Sequence, residues 1–212
     1  MSPAPNSPQG RRFLITAVAG ALWLGLIVAV MVGLLKYSNL PGRAGVPPAS
    51  WPGGSVIVRD EGRPTLILFA HPHCPCTQAT LGELEQLLAR CGSRVRTQVW
   101  FIKPAGVTDA WMDTDLWRKA AAIPGVTVHR DETGREARRF QVETSGQALL
   151  YDRDGRLLFA GGITLARGHA GDNPGRSALT ALLENTLSGK IKTPVFGCSL
   201  FEAECVEKDV CK

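Results

Sequence analysis

The chain has 212 residues, 44% of them hydrophobic, enough for one compact domain plus additional segments. The formal net charge of +5 comes from scattered arginines, with no basic stripe interleaved with aromatics, so nothing supports nucleic-acid binding. Six cysteines, Cys74, Cys76, Cys91, Cys198, Cys205 and Cys211, leave none before residue 74, and an even set behind an export-type N-terminus points to oxidising surroundings.

In chain order, residues 1–12 are rich in Pro, Ser and Gly and read as disordered, ending in Arg11 and Arg12. Residues 13–35 carry no charge over 23 positions, long enough to cross a bilayer as a helix and too long for a typical signal-peptide core. Lys36 and Tyr37 close the run as interfacial residues do. Gly42 and Ala44 would suit a cleavage site but lie well past the apolar run, so the reading is a retained single-pass anchor. The N-terminus then lies in the cytoplasm and the rest is extracytoplasmic (periplasmic in a cell with an outer membrane). The arginine asymmetry is thin, and cysteine usage decides the orientation. Residues 36–54, with Pro41, Pro47, Pro48 and Pro52, read as a linker off the membrane.

The domain is expected over residues 55–190. Residues 55–58 read as a short edge strand and 65–69 as a central strand, apolar throughout. A helix follows over 77–91, with Leu81, Leu84, Leu88 and Cys91 on one face and Gly92 as its stop, so Cys91 reads as a core thiol. Strands are predicted at 95–102 and 126–129, and helices at 113–122 and 133–141. A hairpin spans 148–151 and 156–160 around Asp154-Gly155. A Gly-rich loop holding His169 leads to Asn173, an N-cap before a final helix that ends at Gly189. Strands alternating with helices argue for parallel pairing with right-handed crossovers. The fold class is therefore α/β, with one N-terminal transmembrane helix ahead of it.

The chemistry concentrates where the central strand meets its helix, in His71-Pro72-His73-Cys74-Pro75-Cys76-Thr77. Pro75 suits the first helical position, which makes Cys74 the N-cap. Unpartnered N–H groups and the helix dipole there favour a thiolate and lower the thiol pKa. His71 and His73, when protonated, act in the same direction. Cys76 is near enough to bond to Cys74 or to resolve a mixed disulfide, and Thr77 is placed to donate a hydrogen bond to the thiolate.

The element order, with cysteines at the end of the first core strand, resembles the thioredoxin fold. It is most similar to the exported, membrane-anchored branch with an inserted β-α unit. More narrowly, residues 71–77 combined with Gly161-Gly162-Ile163-Thr164 and Arg167-Gly168-His169 resemble bacterial RedB-labelled proteins. The resemblance covers about residues 55–190 and maps Cys74 onto the attacking thiol. It departs from this chain twice. The second cysteine of the family's Cys-x-x-Cys would fall at Thr77, with Cys76 one residue early. The family's cis-proline position falls near Gly146, where no proline stands, and that leaves more room for a metal.

Two functions follow as expectations. The first is thiol–disulfide exchange with a protein partner, with Cys74, Cys76 and Thr77 as catalytic residues and no cofactor. The second is metal binding, with His71, His73, Cys74, Cys76 and His169 (or His129) supplying the thiolates and imidazoles that suit Cu(I), and so copper delivery. A peroxidase reading ranks last, because Thr77 follows the cysteine. Residues 191–212 read as a disulfide-stapled extension carrying Cys198, Cys205 and Cys211. One of these cysteines would pair with Cys91 or relay electrons to Cys74.

Overall fold

The structure, a computed structural model, describes residues 8–201. Cys205 and Cys211 lie outside the described residues. The chain divides into two compact units at residue 39.

The first unit is a helix, α1, Pro8–Asn39, 32 residues long, with a mean hydropathy of 2.5 in its most apolar window. At ~1.5 Å per residue it spans roughly 48 Å, more than a bilayer core of about 30 Å. It is long and apolar enough to cross a membrane once. Residues 8–12, predicted disordered, are helical. An apolar run that nucleates a helix extends it through neighbours of modest propensity, and Pro8 fits its first turn.

The second unit is built on a six-stranded sheet in the order β3-β2-β1-β4-β5-β6. The strands are β1 Thr65–Ala70, β2 Arg96–Lys103, β3 Val126–Glu132, β4 Gln147–Tyr151, β5 Leu157–Gly162 and β6 Ile191–Lys192. β1 pairs parallel with β2, and β2 with β3, while β4 runs antiparallel to both β1 and β5. β1 is central and buried at every position, as its unbroken apolar sequence requires. Residues 55–58 form no strand. Ser55 instead donates a hydrogen bond to the Glu136 carboxylate at 2.5 Å, which holds the segment through a side chain.

Helices cover both faces. α2 Cys76–Cys91, α3 Asp115–Ala122 and α5 Pro174–Leu183 pack on one, and α4 Arg135–Arg139 lies on the other. The predicted α2 face is buried: Leu81, Leu84, Leu88 and Cys91 all lie in the core. Each leucine hidden this way contributes about 1.5–3 kcal/mol by area. α4 is shorter than the predicted 133–141, because Asp131 accepts from the Glu136 and Ala137 N–H groups and starts the helix late. α3 is capped by Thr114, whose hydroxyl accepts from the Trp117 N–H at 3.2 Å. Thr114→Ala is expected to cost about 1 kcal/mol, read as a lower urea midpoint of the full-length protein in detergent at unchanged slope.

Two stretches lacking helical or strand periodicity are nonetheless packed. From residue 40 the segment predicted as a linker lies across the second unit. Trp51 meets Phe140 and Tyr151 edge-on at 5.3 and 5.2 Å, and the Tyr151 hydroxyl donates to the Pro48 carbonyl. Proline and glycine signalled missing regular structure there, not missing contacts. Residues 191–201, predicted outside the domain, add β6 and then an extended strap. Val195 and Leu200 of the strap are buried.

This arrangement is a thioredoxin-like fold. β1, α2, β2, α3, β4, β5 and α5 form its core, and β3 with α4 is the inserted unit. The transmembrane-length α1 precedes it.

Candidate functional site

β1 ends at Ala70, and residues 71–75 turn sharply into α2. The Cys74 N–H donates to the His71 carbonyl at 3.1 Å, and the Thr77 N–H to the Cys74 carbonyl at 3.0 Å. The helix begins at Cys76 with Pro75 as the half-in residue, one position after the start expected at Pro75 and one before the predicted span 77–91. Pro75 already has helical backbone angles, φ −62° and ψ −27°, so Cys74 still sits at the opening of the helix.

Cys74 is buried, and a partner for its sulfur comes from the strap. Its Sγ lies 2.8 Å from Cys198 Sγ, and the Cys198 N–H donates to it at 3.3 Å. Burial pushes the Cys74 thiol up. Hydrogen bonds from the Cys198 thiol and N–H, the Cys76 N–H and the Thr77 hydroxyl outweigh this and hold the pKa below the ordinary thiol value. The predicted direction is thus found, with donors from Cys198 that the sequence did not place there. Cys76 is within hydrogen-bond reach of Cys74. Burial raises its pKa, the Cys74 charge raises it further, and Arg167 opposes both. Burial and the Cys74 thiolate push Cys198 up to about 12. Of three clustered thiols, Cys74 is the one held toward the thiolate.

The strap is fixed by backbone bonds. The Ser145 N–H donates to the Cys198 carbonyl and the Leu200 N–H to the Glu143 carbonyl, both at 2.8 Å, and Thr144 bridges Ser199 antiparallel. The turn it pairs with also braces the cysteine loop. Ser145 Oγ accepts from the His71 N–H at 2.8 Å and lies 2.9 Å from the Thr77 hydroxyl. Gly146, at φ +88°, donates its N–H to the Phe69 carbonyl at 2.8 Å. A side chain at this left-handed position would also meet the Thr80 hydroxyl at 3.0 Å.

The histidines have other neighbours. His71 and His73 pack on Trp111 at 5.5 and 4.5 Å between ring centroids, and His73 Nε2 lies 3.0 Å from the Trp111 carbonyl. His169 is exposed on its loop, and His129 stacks on Trp100 at 4.5 Å. Among the described residues, no group of three or more His, Cys, Asp or Glu side chains is arranged to hold a metal ion. Beside the cysteine loop opens a cleft of about 820 Å³ whose walls include His71, His73, Trp111, Arg138, Leu200 and Phe201. Arg138 lies over the Phe201 ring at 4.2 Å.

Cys198 is the residue that sequence reasoning assigned first to a staple. Pairing it with Cys91 is ruled out by distance. Cys91 ends α2 and Cys74 precedes it, 17 residues apart, or about 25 Å along a helix, and Cys198 touches Cys74.

No protein-family model matches the chain, and no curated protein matches it. Solved structures do. An uncharacterized conserved protein from Geobacillus kaustophilus is 23% identical with a TM-score of 0.55, covering 76% of this chain and 92% of that one. A hypothetical protein from Sinorhizobium meliloti 1021 is 17% identical with a TM-score of 0.56, covering 74% and 96%. At these identities the likeness is one of fold. A secreted Mycobacterium tuberculosis disulfide oxidoreductase homologous to E. coli DsbE matches at 18% identity and a TM-score of 0.43, over 58% of this chain and 82% of that one.

Proposed function

We propose that the protein is a membrane-tethered thiol–disulfide oxidoreductase working outside the cytoplasm, with Cys74 as its low-pKa sulfur. The observation that carries this reading is the ring of donors around Cys74 Sγ, from Cys198, Cys76 and Thr77, at the opening of α2. A thiolate held in this way is both an attacking group and a good leaving group in disulfide exchange. The second thiol is a neighbour: Cys76 by sequence, Cys198 by the fold. Thr77, tied to Ser145, positions its hydroxyl toward the sulfur. α1 supplies the tether, with Arg11 and Arg12 at its cytoplasmic end, and the partners are protein thiols or disulfides. The narrower likeness to RedB-labelled proteins rests on residues 71–77 and 161–169 and adds no substrate.

The test is insulin reduction by dithiothreitol with the full-length protein in detergent. Cys74→Ala is expected to lower the rate to that without protein. It should also abolish a thiolate absorbance step that the reduced wild type shows below the ordinary thiol range. A Cys74→Ala variant as active as the wild type overturns the reading.

A further inference from the structure

We propose that Cys198, not Cys76, is the second redox thiol, so that the working disulfide is Cys74–Cys198 and the strap of residues 193–201 is part of the active site. This rests on the oxidoreductase reading above and names the second sulfur of its redox pair.

Three observations place Cys198 there. The first is contact: the two sulfurs are 2.8 Å apart and the Cys198 N–H points at Cys74 Sγ. The second is that the strap is built in, not resting by chance. Before Cys198, the Gly162 N–H donates to the Pro194 carbonyl at 3.1 Å and the Gly42 N–H to the Val195 carbonyl at 2.8 Å. After it come the Ser145 and Leu200 bonds already described, and Arg167 donates to the Gly197 carbonyl. Gly197 itself lies so close to the Ser145 carbonyl that an added Cβ would stand 1.9 Å from its oxygen. The third is exposure. Cys74 is 1% exposed, whereas Cys198 is only partly buried, so an outside partner meets Cys198 first.

The exchange balances as follows. In the oxidised protein a partner dithiol, as its thiolate, attacks Cys198 Sγ. The Cys74–Cys198 bond breaks and its electron pair leaves on Cys74 Sγ, where the Thr77 hydroxyl and Cys76 N–H stabilise it. The partner's second thiolate then attacks the partner sulfur of the mixed disulfide. The partner's own disulfide forms, and Cys198 departs as a thiolate and takes up a proton. Two electrons have passed from the partner dithiol to the protein. Reduction of a partner disulfide is the reverse sequence. The asymmetry of the pair favours the forward direction: the sulfur released inward is the one held as thiolate, and the one facing out regains its proton. Cys76 meanwhile donates through its backbone N–H, a role that needs no side-chain sulfur.

The test uses the full-length protein in detergent, oxidised with diamide and digested without reduction by trypsin and a Glu-specific protease, which separates Cys198 from Cys205. The expected product is a Cys74 peptide joined to the Cys198 peptide, still formed in Cys76→Ala. In the insulin assay Cys198→Ser is expected to lose about tenfold or more in turnover, a larger loss than Cys76→Ala shows. A Cys74–Cys76 link, or a link from Cys74 to Cys205 or Cys211, overturns the proposal while leaving the oxidoreductase reading intact. So does full activity in Cys198→Ser. Full activity in Cys74→Ala removes both.

Discussion

Gly197→Ala is expected to speed alkylation of Cys74 by about tenfold or more, because it lifts the strap that covers it. Cys74 is buried to 1% exposure beneath Cys198, so a reagent reaches it only when residues 197–199 move aside. The wild-type rate is therefore a measure of strap opening, not of thiol chemistry alone. The added methyl would meet the Ser145 carbonyl oxygen at 1.9 Å, its carbon at 2.9 Å and Thr144 Cγ2 at 3.3 Å. Two of these three are backbone atoms and cannot rotate away. The two segments must part, and the adjacent bond from the Ser145 N–H to the Cys198 carbonyl lengthens with them. Alkylation is read on Cys74 by mass in a Cys76→Ala background, with the full chain in detergent. Gly53→Ala serves as control, since its methyl meets nothing within 4 Å. A Gly197→Ala rate equal to the control would mean that something other than the strap covers Cys74.

What the sequence disclosed about this site, and what it hid, follows from the range of the interactions. The β1–α2 junction was legible because both of its halves carry a local signature. Residues 65–69 are apolar without break, and the helical spacing from Leu81 to Cys91 has one buried face. Proline after a cysteine located the helix start to within one residue. The strap carries no such pattern. Its placement depends on backbone bonds between residues 198–200 and 143–145, more than 50 positions apart, and backbone groups are the same in every residue. Gly197 was a clue only in retrospect, since close approach is decided by a neighbour that the sequence does not name. Counting cysteines gave the members of the cluster but not the pairing, as four leftover thiols allow three arrangements. Trp51 was missed for the same reason: an aromatic in a Pro-rich stretch looks solvated until the Phe140–Tyr151 pocket is seen.

Glu83→Ala is expected to destabilise the second unit by about 3–5 kcal/mol, the cost of stranding the partners of a buried charge. Glu83 lies on α2 and its side chain is completely buried. Its carboxylate accepts from the Gly171 N–H at 2.7 Å, the Asn173 side-chain amide at 3.0 Å and Arg176 Nη1 at 2.7 Å. Those three donors hold the end of the Gly-rich loop and the first turn of α5. Asn173 also caps α5, accepting from the Arg176 N–H at 2.8 Å. Truncation leaves the mostly buried guanidinium with only Gln86 and Asp172, the buried amide with only the Gly171 carbonyl and the Gly171 N–H without its acceptor, and the loss exceeds that of a surface ion pair several-fold. The measurement is urea unfolding of the full-length protein in detergent. The double variant Glu83→Leu with Arg176→Leu should recover part of the loss but not all. It removes the cation, yet the Gly171 N–H still lacks its acceptor and the Asn173 amide keeps only the Gly171 carbonyl. Complete recovery would mean that the ion pair alone, and not the loop it fastens, carries the effect. The consequence reaches the active site through the chain itself: Arg167, which opposes the raised pKa of Cys76 and donates to Gly197, lies on the same loop. A loop released at residues 171–173 also loosens the anchor of the strap. Cys74 in Glu83→Ala should therefore alkylate faster even at urea concentrations where the fold persists.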